Sequence, residues 1–128
     1  MMYDDLVGVP YVAKGRSMAG LDCAGLVMEV YRRLGIIIGD PSVDPAEYAV
    51  AAAVIDEVSR SRDWTRIPEP EVSCIVVIQQ HPAFIQHLGV YVGGGLFLHA
   101  VAPVGVITSS LHETMYRDQI RGFYRYAG

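Results

Sequence analysis

The sequence lacks the features that define several large protein classes. Its 128 residues include no apolar run that approaches the ~20 residues a transmembrane helix requires. It has only two cysteines, too few for a disulfide framework. The net charge is −4, and Arg32 and Arg33 are the one adjacent basic pair. We therefore expect no membrane span and no nucleic-acid partner.

Signals for export and for metal binding are also missing. The chain starts Met-Met-Tyr-Asp-Asp, without the basic start and apolar stretch of a secretory signal. We expect the protein to be cytoplasmic in the cell that makes it, or to leave that cell by another route. None of the four histidines has the short H-x3-H or C-x2-C spacing of a zinc site, so we expect no metal and no other cofactor.

The residues that are present predict a single α+β domain over residues 1–128. Hydrophobic residues make up 52% of the chain and charged residues 19%, which suits a packed core. Helical periodicity comes first and strand alternation follows, so we expect helices packed on an antiparallel sheet of about five strands. We expect residues 64–70 to be irregular. The expected elements are helices at residues 23–34, 45–59 (with Asp44 as its N-cap) and 111–118, and strands at residues 74–78, 86–92, 96–100, 104–108 and 122–126.

Cys23 stands where the first helix is expected to begin. Unpaired N–H groups and a partial positive charge at a helix start favour a thiolate, which is the nucleophilic form of cysteine. The backbone N–H groups of Cys23 and Ala24 are candidates to hold the oxyanion of a tetrahedral intermediate. The alternative is that Cys23 is a small buried hydrophobic residue. Cys74 lies inside an apolar strand without polar neighbours, so we interpret it as a core residue.

The second half of the chain supplies histidines that could serve such a cysteine. Residues 86–92 alternate, so that His87, Gly89 and Tyr91 share one face of a strand. Three glycines at residues 93–95 then indicate a hairpin turn.

The register of this hairpin decides whether the histidines meet. A three-residue loop pairs Gly89 with His99 and places His99 on the face of His87, diagonal to it. A two-residue loop turns His99 to the other face, and the sequence leaves both possibilities open. With the first register, His87 would act as the general base for Cys23, and His99 would fix the tautomer of His87.

Two stretches resemble the NlpC-type cell-wall cysteine peptidases. The first runs Val-Pro-Tyr at residues 9–11 and Gly-Leu-Asp-Cys-Ala-Gly-Leu-Val at residues 20–27. The second is His-Leu-Gly-Val-Tyr-Val-Gly at residues 87–93, with Leu-His-Ala at residues 98–100. The resemblance spans roughly residues 6–126. It implies a papain-like α+β fold and hydrolysis of peptidoglycan stem peptides, typically between D-glutamate and a diamino acid.

The resemblance also implies roles for individual residues. Cys23 matches the nucleophile, His87 the base and His99 the orienting third residue. Tyr11 matches a tyrosine beside the cysteine, and Asp22 matches an aspartate that helps to bind the free amine of the stem peptide. For Asp22 the alternative is a helix N-cap. The chain departs from the pattern at Ala24, where the family usually has serine.

A narrower resemblance concerns family members carried by phages and prophages. The Cys-x-Gly-Leu-Val stretch, followed by residues 30–36 and by Asp63 and Trp64, is similar to tail-associated members. It implies phage-tail proteins as partners and a particle that acts at the cell wall. The alternatives are an amidase or acyltransferase on the same fold, which would need an apolar acyl groove, and a catalytically weak structural protein of a phage tail.

Overall fold

Helices precede most of the strands in residues 3–128, the part of the chain that the computed structural model describes. A 3-10 helix (Asp4–Leu6) and a short hairpin of β1 (Arg16–Ser17) and β2 (Gly20–Leu21) come first. The remaining elements are α1 (Cys23–Arg33), α2 (Tyr48–Ser59), β3 (Trp64–Ile67), β4 (Ile75–Ile78), β5 (His87–Gly93), β6 (Leu96–Val101), β7 (Gly105–Ser110), α3 (Thr114–Arg117) and β8 (Ile120–Tyr126). The α+β layout that the sequence predicts is confirmed. No helix among the described residues is long and apolar enough to cross a bilayer.

The six later strands form one antiparallel sheet in the order β3-β8-β4-β5-β6-β7. The predicted antiparallel sheet of about five strands has six. Its additional strand is Trp64–Ile67, which is not the irregular segment predicted at residues 64–70. This strand lies at the sheet edge against β8. The Trp64 ring packs edge-on against Tyr31 at 5.5 Å and Tyr126 at 5.4 Å between centroids, which holds the strand in place.

Helix α1 packs its apolar stripe on one face of this sheet. Leu26, Val27, Val30 and Tyr31 recur at helical spacing and are buried. They join a core cluster with strand residues and with the N-terminal segment; the cluster includes Tyr3, Leu6, Ile75, Val77, Val90, Leu98, Ala100 and Val106. The opposite face of the sheet carries a smaller cluster formed by Val76, Ile78, Phe97 and Tyr116. The start of α1 is thereby fixed against β5 and β6.

Helix α2 starts later than the sequence predicts. Asp44 was expected to be the N-cap, but its side chain accepts from the backbone N–H of Ala46 at 2.9 Å in a separate turn. The helix begins at Tyr48, after Glu47, and none of its residues is buried. Helix α2 therefore lies over the start of α1 without packing tightly on it, which leaves space beside Cys23.

Candidate active site

Cys23 is the first residue of α1, and Asp22 is the N-cap. The Asp22 carbonyl oxygen accepts from the N–H of Leu26 at 2.9 Å, and Oδ1 accepts from the N–H of Gly25 at 2.8 Å. The backbone N–H groups of Leu88, Ala24 and Cys23 lie near the thiol and act to lower its pKa, although burial outweighs them. The two backbone donors predicted to hold an oxyanion therefore lie beside the sulfur, and that role stays a prediction.

The side chain of Asp22 is fully buried and bonded to three donors of the protein. Besides Gly25, its Oδ2 accepts from the N–H of Lys14 at 2.7 Å, and its Oδ1 accepts from Nη1 of Arg16 at 2.7 Å. Arg16 also contacts Asp40 through Nε and Nη2, at 3.1 and 3.0 Å. The N-cap reading of Asp22 is confirmed. Its role in binding a substrate amine stays a prediction.

The turn between β5 and β6 is shorter than the three-residue loop that was expected to place His87 and His99 on the same face. Gly93 pairs with Leu96, which leaves two residues in the turn instead of three. Such a turn alone would place His99 on the other face of the hairpin. A β-bulge between Tyr91 and Gly93 adds one residue to β5 and restores the alternation.

Beyond the bulge, the register is the one that brings the histidines together. Val90 pairs with Leu98, which places Gly89 opposite His99. A Cβ atom built on Gly89 would lie 2.8 Å from the carbonyl oxygen of Leu98 and 3.5 Å from Cβ of His99. The absence of a side chain at Gly89 is therefore what lets the two strands approach at this point.

The two histidines are joined by a hydrogen bond inside the protein. Nε2 of His87 lies 2.9 Å from Nδ1 of His99, and Nε2 of His99 lies 2.8 Å from Oγ of Ser109. All three residues are buried. The His99 ring also packs against Phe97 and Tyr116, at centroid distances of 4.6 and 5.1 Å. His99 is thus held both by hydrogen bonds and by aromatic contacts.

One assignment of protons satisfies the hydrogen bonds that link His87, His99 and Ser109, and it leaves a base for the cysteine. His99 donates from Nε2 to Ser109 Oγ, and its Nδ1 accepts from the Nε2–H of His87. Nδ1 of His87 then carries a lone pair and no proton. This is the nitrogen available to take a proton from Cys23.

Burial keeps the cysteine and both histidines uncharged in the resting protein. Burial, together with the charge of Asp22, raises the pKa of the Cys23 thiol to about 11. Nearby backbone N–H groups, among them that of Leu88, lower this pKa but do not offset the effect of burial. Burial lowers the pKa of His87 to about 3, helped by His99, and lowers that of His99 to about 4. A lone charge is disfavoured here, whereas a thiolate–imidazolium pair offsets its two charges. Proton transfer is therefore tied to the encounter with substrate.

Cys23 and His87 line one cavity of about 430 Å³. Tyr11 lines it too, at the point where its backbone forms a bridge with Leu21. Burial and the neighbouring Cys23 and Asp22 raise the pKa of Tyr11 to about 12, so its hydroxyl stays a donor. The structure thus brings Cys23, His87 and Tyr11 together. We call this space the polar cavity; its other lining residues include Asp44, Tyr48, Gln80 and Gln86.

Two residues of this region were missed by the sequence analysis. Ser109 was missed because the last predicted strand of this hairpin stopped at Thr108, one residue too early. The pairing of β6 with β7 is what directs Ser109 at His99. Gln86 was assigned only to a strand, yet its Oε1 accepts from the N–H groups of Gln80 and His81 at 3.1 and 3.2 Å and orders the loop before His87. The signal that could have identified Gln86 was its position directly before His87, the predicted base.

A cysteine at a helix start, a histidine on the adjacent sheet and a third polar residue define the class of papain-like α+β thiol proteins. Residues 8–125 match the NlpC/P60 family, and the chain belongs to that family. Within residues 3–128, no group of three or more histidine, cysteine or acidic side chains is arranged to hold a metal ion.

The chain is similar to two curated proteins of known name over most of its length. It is 29% identical over 122 residues to gamma-DL-glutamyl hydrolase of Bacillus subtilis (strain 168), covering 94% of this chain and 27% of that protein. It is 28% identical over 118 residues to murein DD-endopeptidase MepS/murein LD-carboxypeptidase of Escherichia coli (strain K12), covering 91% of this chain and 55% of that protein. The chain thus spans about a quarter to a half of these relatives.

Solved structures show the same fold at low sequence identity. NlpC2 from Trichomonas vaginalis has a TM-score of 0.71 at 22% identity, covering 98% of this chain and 44% of that one. The NlpC/p60 domain of peptidoglycan hydrolase SagA has a TM-score of 0.62 at 20% identity, covering 98% of this chain and 92% of that one. The predicted papain-like fold is confirmed.

Proposed function

We propose that this chain is a cysteine peptidase that hydrolyses amide bonds in peptidoglycan stem peptides, at the bond between D-glutamate and a diamino acid. One observation carries the proposal. Cys23, at a helix start with N–H groups beside its sulfur, shares a cavity with His87, whose far nitrogen is held by His99. Family membership and the names of the two relatives, a glutamyl hydrolase and a murein endopeptidase, support the substrate class.

The first half of the reaction acylates Cys23. The sulfur attacks the scissile carbonyl carbon while Nδ1 of His87 takes the thiol proton. The developing oxyanion is held by the N–H groups of Cys23 and Ala24. The C–N bond then breaks, and His87 gives its proton to the leaving amine, which leaves a thioester on Cys23.

The second half releases the acid product. Water attacks the thioester carbonyl while His87 takes its proton. The C–S bond then breaks, the acid product leaves, and His87 gives that proton to the sulfur, which restores the thiol and the neutral base. His99 acts through His87 in both halves, because it accepts from Nε2–H and leaves Nδ1 as the nitrogen that takes and returns the proton. Formation of the imidazolium is favoured only while a negative charge on sulfur or oxygen lies close to it.

Substrate recognition is assigned to the polar cavity. The hydroxyl of Tyr11 is a donor that can reach a carbonyl or carboxylate of the stem peptide. Asp44 lines this cavity and supplies a negative charge with which a free amine of the peptide would pair. Asp22, to which the resemblance assigns the same amine, is buried and does not line the cavity. We also propose, from the sequence resemblance to tail-associated family members, that a phage tail delivers this protein to the cell wall.

The test is a digestion of defined stem peptides followed by mass spectrometry. Disaccharide peptides that contain diaminopimelate or lysine are incubated with the protein, and the products are identified by mass. Release of the fragment that ends in D-glutamate supports the proposal. Cleavage at another bond overturns the assigned bond. An absence of wall cleavage, combined with transfer or hydrolysis of acyl esters, would identify an amidase or acyltransferase.

A further inference from the structure

A cavity of about 200 Å³ lies where the pairing of β3 with β8 ends, and it shares no lining residue with the polar cavity. We call it the arginine cavity, because Arg66 of β3 and Arg121 of β8 both line it. The rest of its lining carries no charge and consists of Ile67, Pro68, Ile120, Gly122 and Phe123. The space therefore combines two cations with a largely apolar wall.

The arginine cavity exists because β3 ends before β8 does. The two strands pair only as far as Ile67 and Phe123. Pro68 follows in the chain, and proline has no N–H group with which to continue the pairing. Within residues 3–128, no strand therefore pairs with residues 120–122 on this side of β8. This end of the sheet edge is open to a ligand.

A β-bulge in β8 places Arg121 at the open edge. Two consecutive residues of β4 pair with Gly122 and Ile120, which leaves Arg121 as the extra residue of the bulge. The guanidinium of Arg66 lies against Gly122, where a Cβ atom would come within 3.4 Å of Nε. Nη2 of Arg66 donates to the carbonyl oxygen of Arg121 at 3.0 Å. The backbone thus holds the two guanidinium groups side by side.

The charges of these two arginines are not balanced by carboxylates. Arg121 donates only to uncharged acceptors, from Nε to Oε1 of Gln79 at 3.0 Å and from Nη1 to two backbone carbonyl oxygens at 2.7 and 3.2 Å. In the described part of the chain, neither Arg66 nor Arg121 forms an ion pair, whereas Arg125 of β8 pairs with Glu71 at 2.9 Å. Nη2 of Arg121 and most N–H groups of Arg66 therefore have donors to offer.

The chemistry of the arginine cavity selects among anions. A guanidinium presents its N–H groups as a planar fork, and a phosphate group has enough oxygens to meet two forks at once. A carboxylate has two oxygens and matches one fork. The net charge of −4 gives the chain no general attraction for anions, so binding has to depend on this local pair.

We propose that the arginine cavity binds the phosphate group of a phosphate ester. The phosphate lies between Arg66 and Arg121, and the carbon atoms of the esterified alcohol contact the apolar wall at Phe123 and Pro68. Soluble sugar phosphates and phosphodiester polymers share this chemistry. The proposal goes beyond the proposed function and does not depend on Cys23.

The test is a titration followed by NMR of the ¹⁵N-labelled arginine side chains, at fixed ionic strength. The probes are inorganic phosphate, glycerol 3-phosphate, the diester glycerophosphoglycerol and acetate. We expect glycerol 3-phosphate to shift the Nε signals of Arg66 and Arg121. It should bind at least about threefold more tightly than inorganic phosphate or acetate, because contact of its carbons with the apolar wall adds to the charge interaction. Tighter binding of the diester would indicate a polymer as the natural ligand, and tighter binding of the monoester a soluble ester.

Variants of the two arginines test the assignment of the site. Arg66→Gln and Arg121→Gln should each weaken the binding of glycerol 3-phosphate by about 3- to 10-fold, because each removes charged donors from a site that faces solvent. Arg62 is exposed and does not line the cavity, so Arg62→Gln should stay within about twofold of the parent. If Arg121→Gln does not fold, Arg66→Gln decides, because Arg66 gives up a single hydrogen bond to the backbone.

Three results would overturn the phosphate-ester site. These are equal affinity of the parent and Arg66→Gln, equal affinity for glycerol 3-phosphate and for inorganic phosphate or acetate, and unchanged arginine signals at about 10 mM glycerol 3-phosphate. Both variants should digest soluble stem peptide at the parent rate, since neither residue lines the polar cavity. Because binding is measured without peptidoglycan, failure of this site and failure of the proposed function are distinguishable.

Discussion

Nε2 of His87 lies 2.9 Å from Nδ1 of His99, and with the His87 proton on Nε2 this contact leaves Nδ1 of His87 as the basic nitrogen of a residue that shares a cavity with Cys23. It exists because a β-bulge in β5 compensates for a two-residue turn. Without the bulge, His99 would face away, and Cys23 would have a base of undefined tautomer. The register of one hairpin therefore determines whether the three residues can act together.

Ser109 is expected to act as a positioning residue through His99. Ser109→Ala removes the acceptor of the Nε2–H of His99 and allows the tautomer that would put a proton on Nδ1 of His87. We expect kcat to fall about 2- to 10-fold, the range set by one neutral hydrogen bond, with KM little changed. NMR of ¹⁵N-labelled histidine reads the tautomer directly. Unchanged kcat and unchanged nitrogen shifts would exclude this role, and Ser109→Thr should restore much of the loss.

The acid limb of the rate profile should lie well below the ordinary pKa of histidine. Burial lowers the pKa of His87 to about 3, so the neutral base persists as the pH falls below 6.5 and is lost only near the lowered value. We expect kcat/KM for a soluble stem peptide to stay within about threefold between pH 7 and pH 5. The measurement is a profile from pH 4 to pH 9, with folding followed by circular dichroism. A midpoint near 6.5 in folded protein would contradict the buried neutral base.

Gly89→Ala should disturb the histidine pair by separating β5 from β6. Its Cβ would lie 2.8 Å from the carbonyl oxygen of Leu98, a backbone atom that cannot turn away. We expect a loss of about 1–3 kcal/mol in the free energy of unfolding and a loss of activity in the protein that stays folded. The same substitution at Gly122 in β8 meets side-chain atoms at 3.1 Å or more, so its cost should be smaller and the activity retained. Equal activity in both variants would show that the close approach at Gly89 is not needed.

Asp22→Asn should lower stability more than a matched change at the other end of the same ion-pair network. Asp22 is buried and pairs with Arg16, whereas the side chain of Asp40 is 42% exposed. We expect a loss of about 2–4 kcal/mol in the free energy of unfolding for Asp22→Asn and under 1 kcal/mol for Asp40→Asn. Chemical denaturation of both variants measures this difference. Similar losses would mean that the buried pair contributes no more than a surface one.

The same variant tests amine recognition. Stem peptides with a free and with an acetylated amine are compared in the parent and in Asp22→Asn. If Asp22 binds the amine, the parent should prefer the free amine and the variant should lose that preference. If Asp22 acts only as cap and ion-pair partner, both substrates should slow by the same factor.

Local patterns were sufficient to predict most of the fold. Helical spacing from Cys23 to Leu34 and strand alternation around His87 each depend on neighbouring residues, and the elements lie close to where they were expected. The edge strand at Trp64 was missed because it is short and has prolines after it. Its stability comes from aromatic contacts with Tyr31 and Tyr126, which are distant in sequence.

The site was predictable where it depends on one element and not where it depends on several. Cys23 at a helix start could be inferred from the helix alone. The contact between His99 and Ser109 needs the pairing of β6 with β7, and the bulge in β5 has no distinct sequence signal. A cavity lined by residues of both α1 and α2, among them Val27 and Ile55, depends on how the two helices pack, which periodicity does not report.

The central claim is that Cys23 carries the chemistry, and Cys74 offers the matched control because it is the other buried free cysteine. The most direct measurement compares Cys23→Ala and Cys74→Ala with the parent in digestion of one purified stem peptide, with products quantified by mass spectrometry. We expect the parent and Cys74→Ala to release the D-glutamyl fragment. Cys23→Ala should release none while its free energy of unfolding stays within about 2 kcal/mol of the parent. Cleavage by folded Cys23→Ala at the parent rate would contradict the account.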